Sequence, residues 1–166
     1  MAMEHEERRP CKRREDSLTE TVHVVMHADA NPGGRIFGGR LMEWIDMVGG
    51  ISAIRHCGGS VTTACVDNLN FMAPAYVGDI VVMRAFVTFV GRSSCEVRVE
   101  TNVENVATGE RTLINTAYLT EVHVTHEGLV APIPFGLALD DPDVRREWEL
   151  ALRRREIRGI RRSSGV

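Results

Sequence analysis

Residues 27–50 read HADANPGGRIFGGRLMEWIDMVGG, a glycine-dense loop that runs straight into a segment of helical period. Over residues 39–57, Leu41, Trp44, Ile45, Val48 and Ile51 fall at helical spacing, and His56-Cys57-Gly58-Gly59 supplies a glycine stop. One long helix is predicted. Gly49, Gly50 and Ala53 thin out another of its faces, which weakens the helix intrinsically but lets a neighbouring backbone come close. Such a helix expects to be wrapped by something else.

The flanking sequence supplies the wrapping. TVHVVMHA at residues 21–28 is β-branched and reads as a short strand. After the helix come four β-rich segments, at about residues 61–71, 80–90, 93–104 and 111–124, joined by short connections bearing Pro74, Gly78-Asp79, Gly91 and Thr108-Gly109. In the third, Cys95, Val97, Val99 and Val103 alternate with Glu96, Arg98, Glu100 and Glu104, the period of a strand with one wet face. One strand, one long helix and four more strands give an α+β fold in which an antiparallel sheet buries a face on the only core helix available. Beyond Pro132 and Pro134, residues 141–158 carry acids early and arginines late, matching the helix dipole, and read as an appended surface helix. Its arginines could contact RNA or acidic lipid; a solvated face or a subunit contact is the simpler expectation.

At 166 residues the chain is long enough for one well-filled core. Residues 1–17 are charged and without hydrophobic period, hence a disordered arm, leaving residues 18–135 as the domain and 136–166 as a helical extension. The net charge of −3 gives no basic excess of the nucleic-acid-binding kind. Four cysteines without a C-x-x-C pair fit reduced thiols in a cytoplasmic protein, and the pairs His23/His27 and His123/His126 lack further ligands at metal spacing. No metal is expected. There is no secretory h-region and no apolar run of the roughly 18 residues that a membrane span needs.

The chemistry question is Asp46, a carboxylate within an otherwise apolar helix. No Lys or Arg stands three or four residues away to pair it, so it lies either on a solvated stripe or facing a cleft or second subunit. Gly38 and Gly39 open the helix, where backbone N–H groups have no intrahelical acceptor and suit an anion or a developing oxyanion; a loop needing positive φ explains the same glycines. Asn31 offers a donor and an acceptor in one amide, though asparagine before proline is also a good turn former. A base, an oxyanion site and an orienting amide together suit addition of water to an activated acyl carbonyl. No Gly-x-Ser-x-Gly elbow is present to support a serine hydrolase.

NPGGRIFGGRLMEWID (31–46), TACVDNLNF (63–71), PAYVGD (74–79) and FVGRSS (89–94) occur in the order found in the acyl-CoA thioesterases of the hotdog fold. The chain resembles that family over about residues 20–134, and in particular the branch of the YciA-type enzymes and brain acyl-CoA hydrolases. The resemblance implies a sheet wrapped around a central helix, and a homodimer with shared active sites, commonly a trimer of dimers. It also implies Asp46 as the catalytic base or nucleophile, Asn31 supplied by the facing subunit, and the backbone N–H of Gly39, with Gly38 beside it, polarising the thioester carbonyl. Gly91, Arg92, Ser93 and Ser94 would lie near the CoA phosphates, where an arginine fork and hydroxyls suit phosphate oxygens. CoA is then part of the substrate, and no cofactor is expected. The last strand, AYLTEVHV (117–124), departs from the Thr-aromatic-Val-Ala run usual in relatives, and the arginine-rich helix has no motif to match.

Two other readings stay open. A hydratase family of the same fold uses Asp-x-Asn-Pro-x-His, and DANPGG matches up to Pro32, but Gly34 stands where the catalytic histidine would be. A non-catalytic acyl-CoA sensor would keep the pocket without turnover.

Overall fold

The structure, a computed structural model, describes residues 9–164. Its elements are β1 (Cys11–Lys12), α1 (Arg14–Ser17), β2 (Thr19–Val24), α2 (Gly38–Cys57), β3 (Val61–Phe71), β4 (Ile80–Val90), β5 (Ser94–Glu104), β6 (Arg111–His123), β7 (Gly136–Leu137) and α3 (Pro142–Ser164). Five strands form one antiparallel sheet in the order β2-β4-β5-β6-β3, and β1 pairs with β7 in parallel beside it.

The sheet curls around α2, which packs on all five of its strands. Leu41, Trp44, Ile45, Val48, Ala53 and Cys57 of α2 meet Val81, Met83, Ala85 and Val87 of β4, Val97 and Val99 of β5, and Ala117 and Leu119 of β6. The alternating residues of each strand face the helix because the side-chain period of a strand is two. α2 ends at Gly58, whose φ of 71° is the left-handed conformation that closes a helix without a Cβ penalty. Of the two glycines on the thinned face of α2, only Gly49 is required by packing, and by side chains instead of a backbone: a Cβ there would come within 2.9 Å of Leu119 Cδ2 and 3.6 Å of Val99 Cγ2, whereas one at Gly50 would meet nothing within 4 Å among the described residues. Leu119 and Val99 are fully buried. Gly49→Val is therefore expected to lower unfolding free energy by roughly 2–3 kcal/mol through overpacking, measured by denaturant titration at fixed protein concentration.

Four expectations need correction. Of the supposed disordered arm, residues 1–8 lie outside the described residues, but residues 9–17 are built into the fold. Lys12 Nζ donates to the Arg55 and His56 carbonyls at 2.7 and 3.0 Å, covering the carboxyl end of α2, and Ser17 is fully buried. The first long strand stops at Val24, because the Asp29 carboxylate accepts from Met26 N at 3.0 Å and closes a single 3₁₀ turn at His27–Asp29. Ile51 is 39 % exposed and belongs to an outward stripe of α2, not to the core.

Lastly, the outer face of β5 is not uniformly wet, because α3, a surface helix with most of its residues exposed, docks one face on the sheet. Val144 and Ala151 are buried, Trp148 packs on Phe89 with ring centroids 4.5 Å apart, and α3 lies across β4. Arg154 Nη2 reaches Glu96 at 2.7 Å, Arg98 pairs with Glu147 at 2.7 Å, and Arg158 pairs with Asp67. The arginines late in α3 thus answer acids on the sheet.

Candidate active site

Asp46 projects from the outward stripe of α2, where Met42, Met47, Ile51 and Ile54 are also 39–48 % exposed. The sheet leaves this side of the helix uncovered. Thr63 Oγ1 on β3 donates to Asp46 Oδ1 at 2.7 Å, so one carboxylate oxygen is held and the other is available. Thr63 lies opposite Glu121 in the β3–β6 ladder, and its Oγ1 is also 3.0 and 3.3 Å from Glu121 Oε1 and Oε2. Glu121 is fully buried; burial first, with the charge of Asp46 adding to it, pushes its carboxyl up to about 7 against the opposing Thr63 hydrogen bond.

The loop before α2 makes a second half-site. Asn31 Oδ1 accepts from Gly33 N at 2.9 Å and Arg35 N at 3.3 Å, so its oxygen is committed to the turn and its Nδ2 donors are left for another partner. Among the described residues no side chain caps α2, which leaves the amides of Gly38 and Gly39 as donors at the positive end of the dipole. Asn31, Arg35, Gly38, Phe71 and Pro74 line a cleft of about 370 Å³. Asp46 is not among its walls: eight residues along the helix from Gly38, it is about 12 Å away along the axis. Within one chain the structure brings Asn31 together with the helix-start glycines and separates both from Asp46.

Gly91-Arg92-Ser93-Ser94 forms the β4–β5 hairpin turn, closed by Gly91 N donating to Ser94 O at 2.8 Å. The next residue, Cys95, pairs with Glu121, which pairs with Thr63, so the turn sits at the same end of the sheet as the Asp46–Thr63 contact. Arg155 of α3 stacks on Phe89 at 5.2 Å and comes close to Gly91, adding a guanidinium that spacing alone did not reveal. Among the described residues no three His, Cys, Asp or Glu side chains converge as a metal site. His23 instead stacks on Trp44 with centroids 4.2 Å apart, and His123 Nδ1 lies 2.9 Å from the Pro132 carbonyl.

The family model of the thioesterase superfamily matches residues 33–109. The chain is 40 % identical over 132 residues to the uncharacterized acyl-CoA thioester hydrolase YkhA of Bacillus subtilis, covering 80 % of this chain and 75 % of that one. It belongs to the thioesterase superfamily. Among solved structures, an acyl-CoA hydrolase of Staphylococcus aureus, in complex with butyryl-CoA, CoA and CoA disulfide, superposes with a TM-score of 0.88 at 33 % identity over 94 % of each chain. A hexameric acyl-CoA thioesterase superposes with a TM-score of 0.86 at 36 % identity over 92 % of this chain and 97 % of that one. This thioesterase therefore has the hotdog fold that its motifs resemble.

Alanine variants of the Staphylococcus hydrolase have been solved at an asparagine, an aspartate and a threonine separated by 15 and 17 residues. Asn31, Asp46 and Thr63 stand at the same separations. Thr63 and Glu121 were missed as site residues. Thr63 opens the TACVDNLNF motif but carries no local sign of function. Glu121 did carry one, because it shares the parity of Ala117 and Leu119 and so had to face the helix.

Proposed function

We propose that the protein hydrolyses acyl-CoA thioesters to CoA and the free carboxylic acid, with Asp46 as the reacting carboxylate. The observation that carries this reading is the Thr63-held, outward-facing Asp46 on an apolar stripe that a second subunit would cover. The 12 Å between the two half-sites argues for a shared site: Asn31 and the Gly38 and Gly39 amides of one subunit meet the partner subunit's Asp46 and Thr63. The amides stabilise the oxyanion that forms on the thioester carbonyl, while the free oxygen of Asp46 takes a proton from the attacking water or itself attacks the carbonyl. The CoA thiolate leaves and takes up the proton that water gives up, through Asp46 where it acts as base, or when water hydrolyses the acyl–Asp46 anhydride to free acid where it acts as nucleophile. Gly91, Arg92, Ser93 and Ser94 hold the CoA phosphates, with Arg155 beside them.

The active unit is residues 18–135 with residues 9–17 and the described part of the extension, 136–164, docked on it. The assembly is a homodimer, further joined as a hexamer as in the hexameric relative. CoA enters as part of the substrate, and the reaction is placed in the cytoplasm without a further cofactor. Among the described residues no helix is long and apolar enough to cross a membrane. A hydratase reading lacks its second acid-base group: Gly34 has no side chain, and its φ of 72° disfavours one.

The test is CoA release from butyryl-, octanoyl-, palmitoyl- and phenylacetyl-CoA by the intact oligomer. Release of CoA with stoichiometric acid is expected from at least one of them. Binding without release would leave an acyl-CoA sensor, and water addition to crotonyl-CoA without release would establish the hydratase.

A further inference from the structure

Two carboxylates compete for one hydroxyl beside the reacting group. Thr63 has a single O–H, and both Asp46 Oδ1 at 2.7 Å and Glu121 Oε1 at 3.0 Å lie within its reach. A hydroxyl can donate to only one of them. Both contacts are satisfied together when Glu121 carries a proton and donates it to Thr63 Oγ1, while Thr63 donates to Asp46.

We propose that Glu121 is a positioning residue for catalysis at Asp46: as the neutral acid it donates to Thr63 Oγ1 and so commits the Thr63 proton to Asp46 Oδ1. This rests on the reading of Asp46 as the reacting carboxylate, and extends it to a buried acid on β6. The surroundings of Glu121 favour the neutral form. Asp46 and Cys57 face it from α2, Thr63 from β3 and Cys95 from β5. Lys12 acts on Cys57 and is engaged with the carbonyls at the end of α2. His123, two residues along β6, is held by Pro132. Among the described residues no ion pair neutralises a Glu121 carboxylate, and its one hydrogen-bonding side chain is Thr63.

Burial and the charge of Asp46 push the Glu121 carboxyl up to about 7. Below that pH the chain of donors runs from Glu121 through Thr63 to Asp46. As pH rises through it, the Glu121 proton passes to solvent and the new carboxylate draws the Thr63 hydrogen away. Asp46 then loses the bond that fixes its Oδ1, and turnover falls.

The experiment measures kcat and KM for butyryl-CoA from about pH 5.5 to 9, with CoA quantified by chromatography so that detection does not depend on pH. The wild-type oligomer is expected to show kcat falling roughly fivefold, the effect of about one hydrogen bond, with a midpoint at about 7. In Glu121→Gln the amide N–H replaces the acid O–H as donor, and the descending limb disappears. Glu121→Leu also removes the competing acceptor and leaves Asp46 as the partner of the Thr63 hydroxyl, so its descending limb disappears as well, with KM unchanged. A limb that persists in Glu121→Gln or in Glu121→Leu overturns the proposal. Should Glu121→Gln not fold, Thr63→Val decides, because without the hydroxyl there is nothing to compete for and the limb must vanish. Asp46→Ala is run alongside. Near-wild-type turnover there defeats the reading of Asp46 itself, whereas an inactive Asp46→Ala with a persistent limb in Glu121→Gln defeats only the role of Glu121.

Discussion

Asp46→Ala is expected to lower kcat for CoA release at least about a hundredfold, within the range of roughly 10²- to 10⁴-fold that a general base contributes. The side chain is exposed on the outward stripe of α2, so its loss opens no cavity, and the circular dichroism and oligomeric state should stay those of wild type. Asp46→Asn sharpens the test. It keeps the shape and can still accept from Thr63 through its amide oxygen, yet it cannot take a proton from water or attack as a carboxylate. Comparable losses in Asn and Ala variants would locate the effect in the charge. Turnover near wild type in either would remove Asp46 from the mechanism.

Arg154→Met should destabilise the fold by about 3–5 kcal/mol, the typical consequence of leaving one partner of a buried ion pair uncompensated. Glu96 is 2 % exposed beneath α3. Arg154 approaches it with Nη2 at 2.7 Å and Nε at 3.2 Å, and among the described side chains only the Thr88 hydroxyl at 2.8 Å would remain. The guanidinium also sits 3.8 Å from the centroid of Tyr118, a contact that methionine keeps only as packing. Adding Glu96→Leu to Arg154→Met removes the stranded charge and should restore most of the loss, since an apolar pair of similar volume replaces a buried ion pair nearly neutrally. Unfolding free energies by denaturant titration at one protein concentration check both. A single-variant loss under about 1 kcal/mol would mean that the pair is effectively solvated.

Much of the architecture was legible in the sequence because it depends on local periods. The 3.6-residue spacing of Leu41, Trp44, Ile45 and Val48 located α2, which begins and ends within one residue of expectation. Alternation along CEVRVE located the inner face of β5, and the glycines between segments marked the turns. Asp46 was legible as an anomaly for the same reason, since an unpaired acid stands out against an apolar period.

The contacts that give those residues their roles join positions far apart in the chain. Thr63 meets Asp46 and Glu121 across separations of 17 and 58 residues, and Arg154 meets Glu96 across 58. Spacing cannot assign such pairs, which is why the outer face of β5 reads as wet in the sequence although one face of the surface helix α3 covers part of it. The same holds for the site. Sequence alone determined that a carboxylate, an amide and a pair of uncapped glycines stand along one loop and helix. Only the tertiary structure decided that the helix axis keeps them about 12 Å apart in one subunit, and that curling β3 and β6 around α2 sets a threonine and a buried acid behind Asp46.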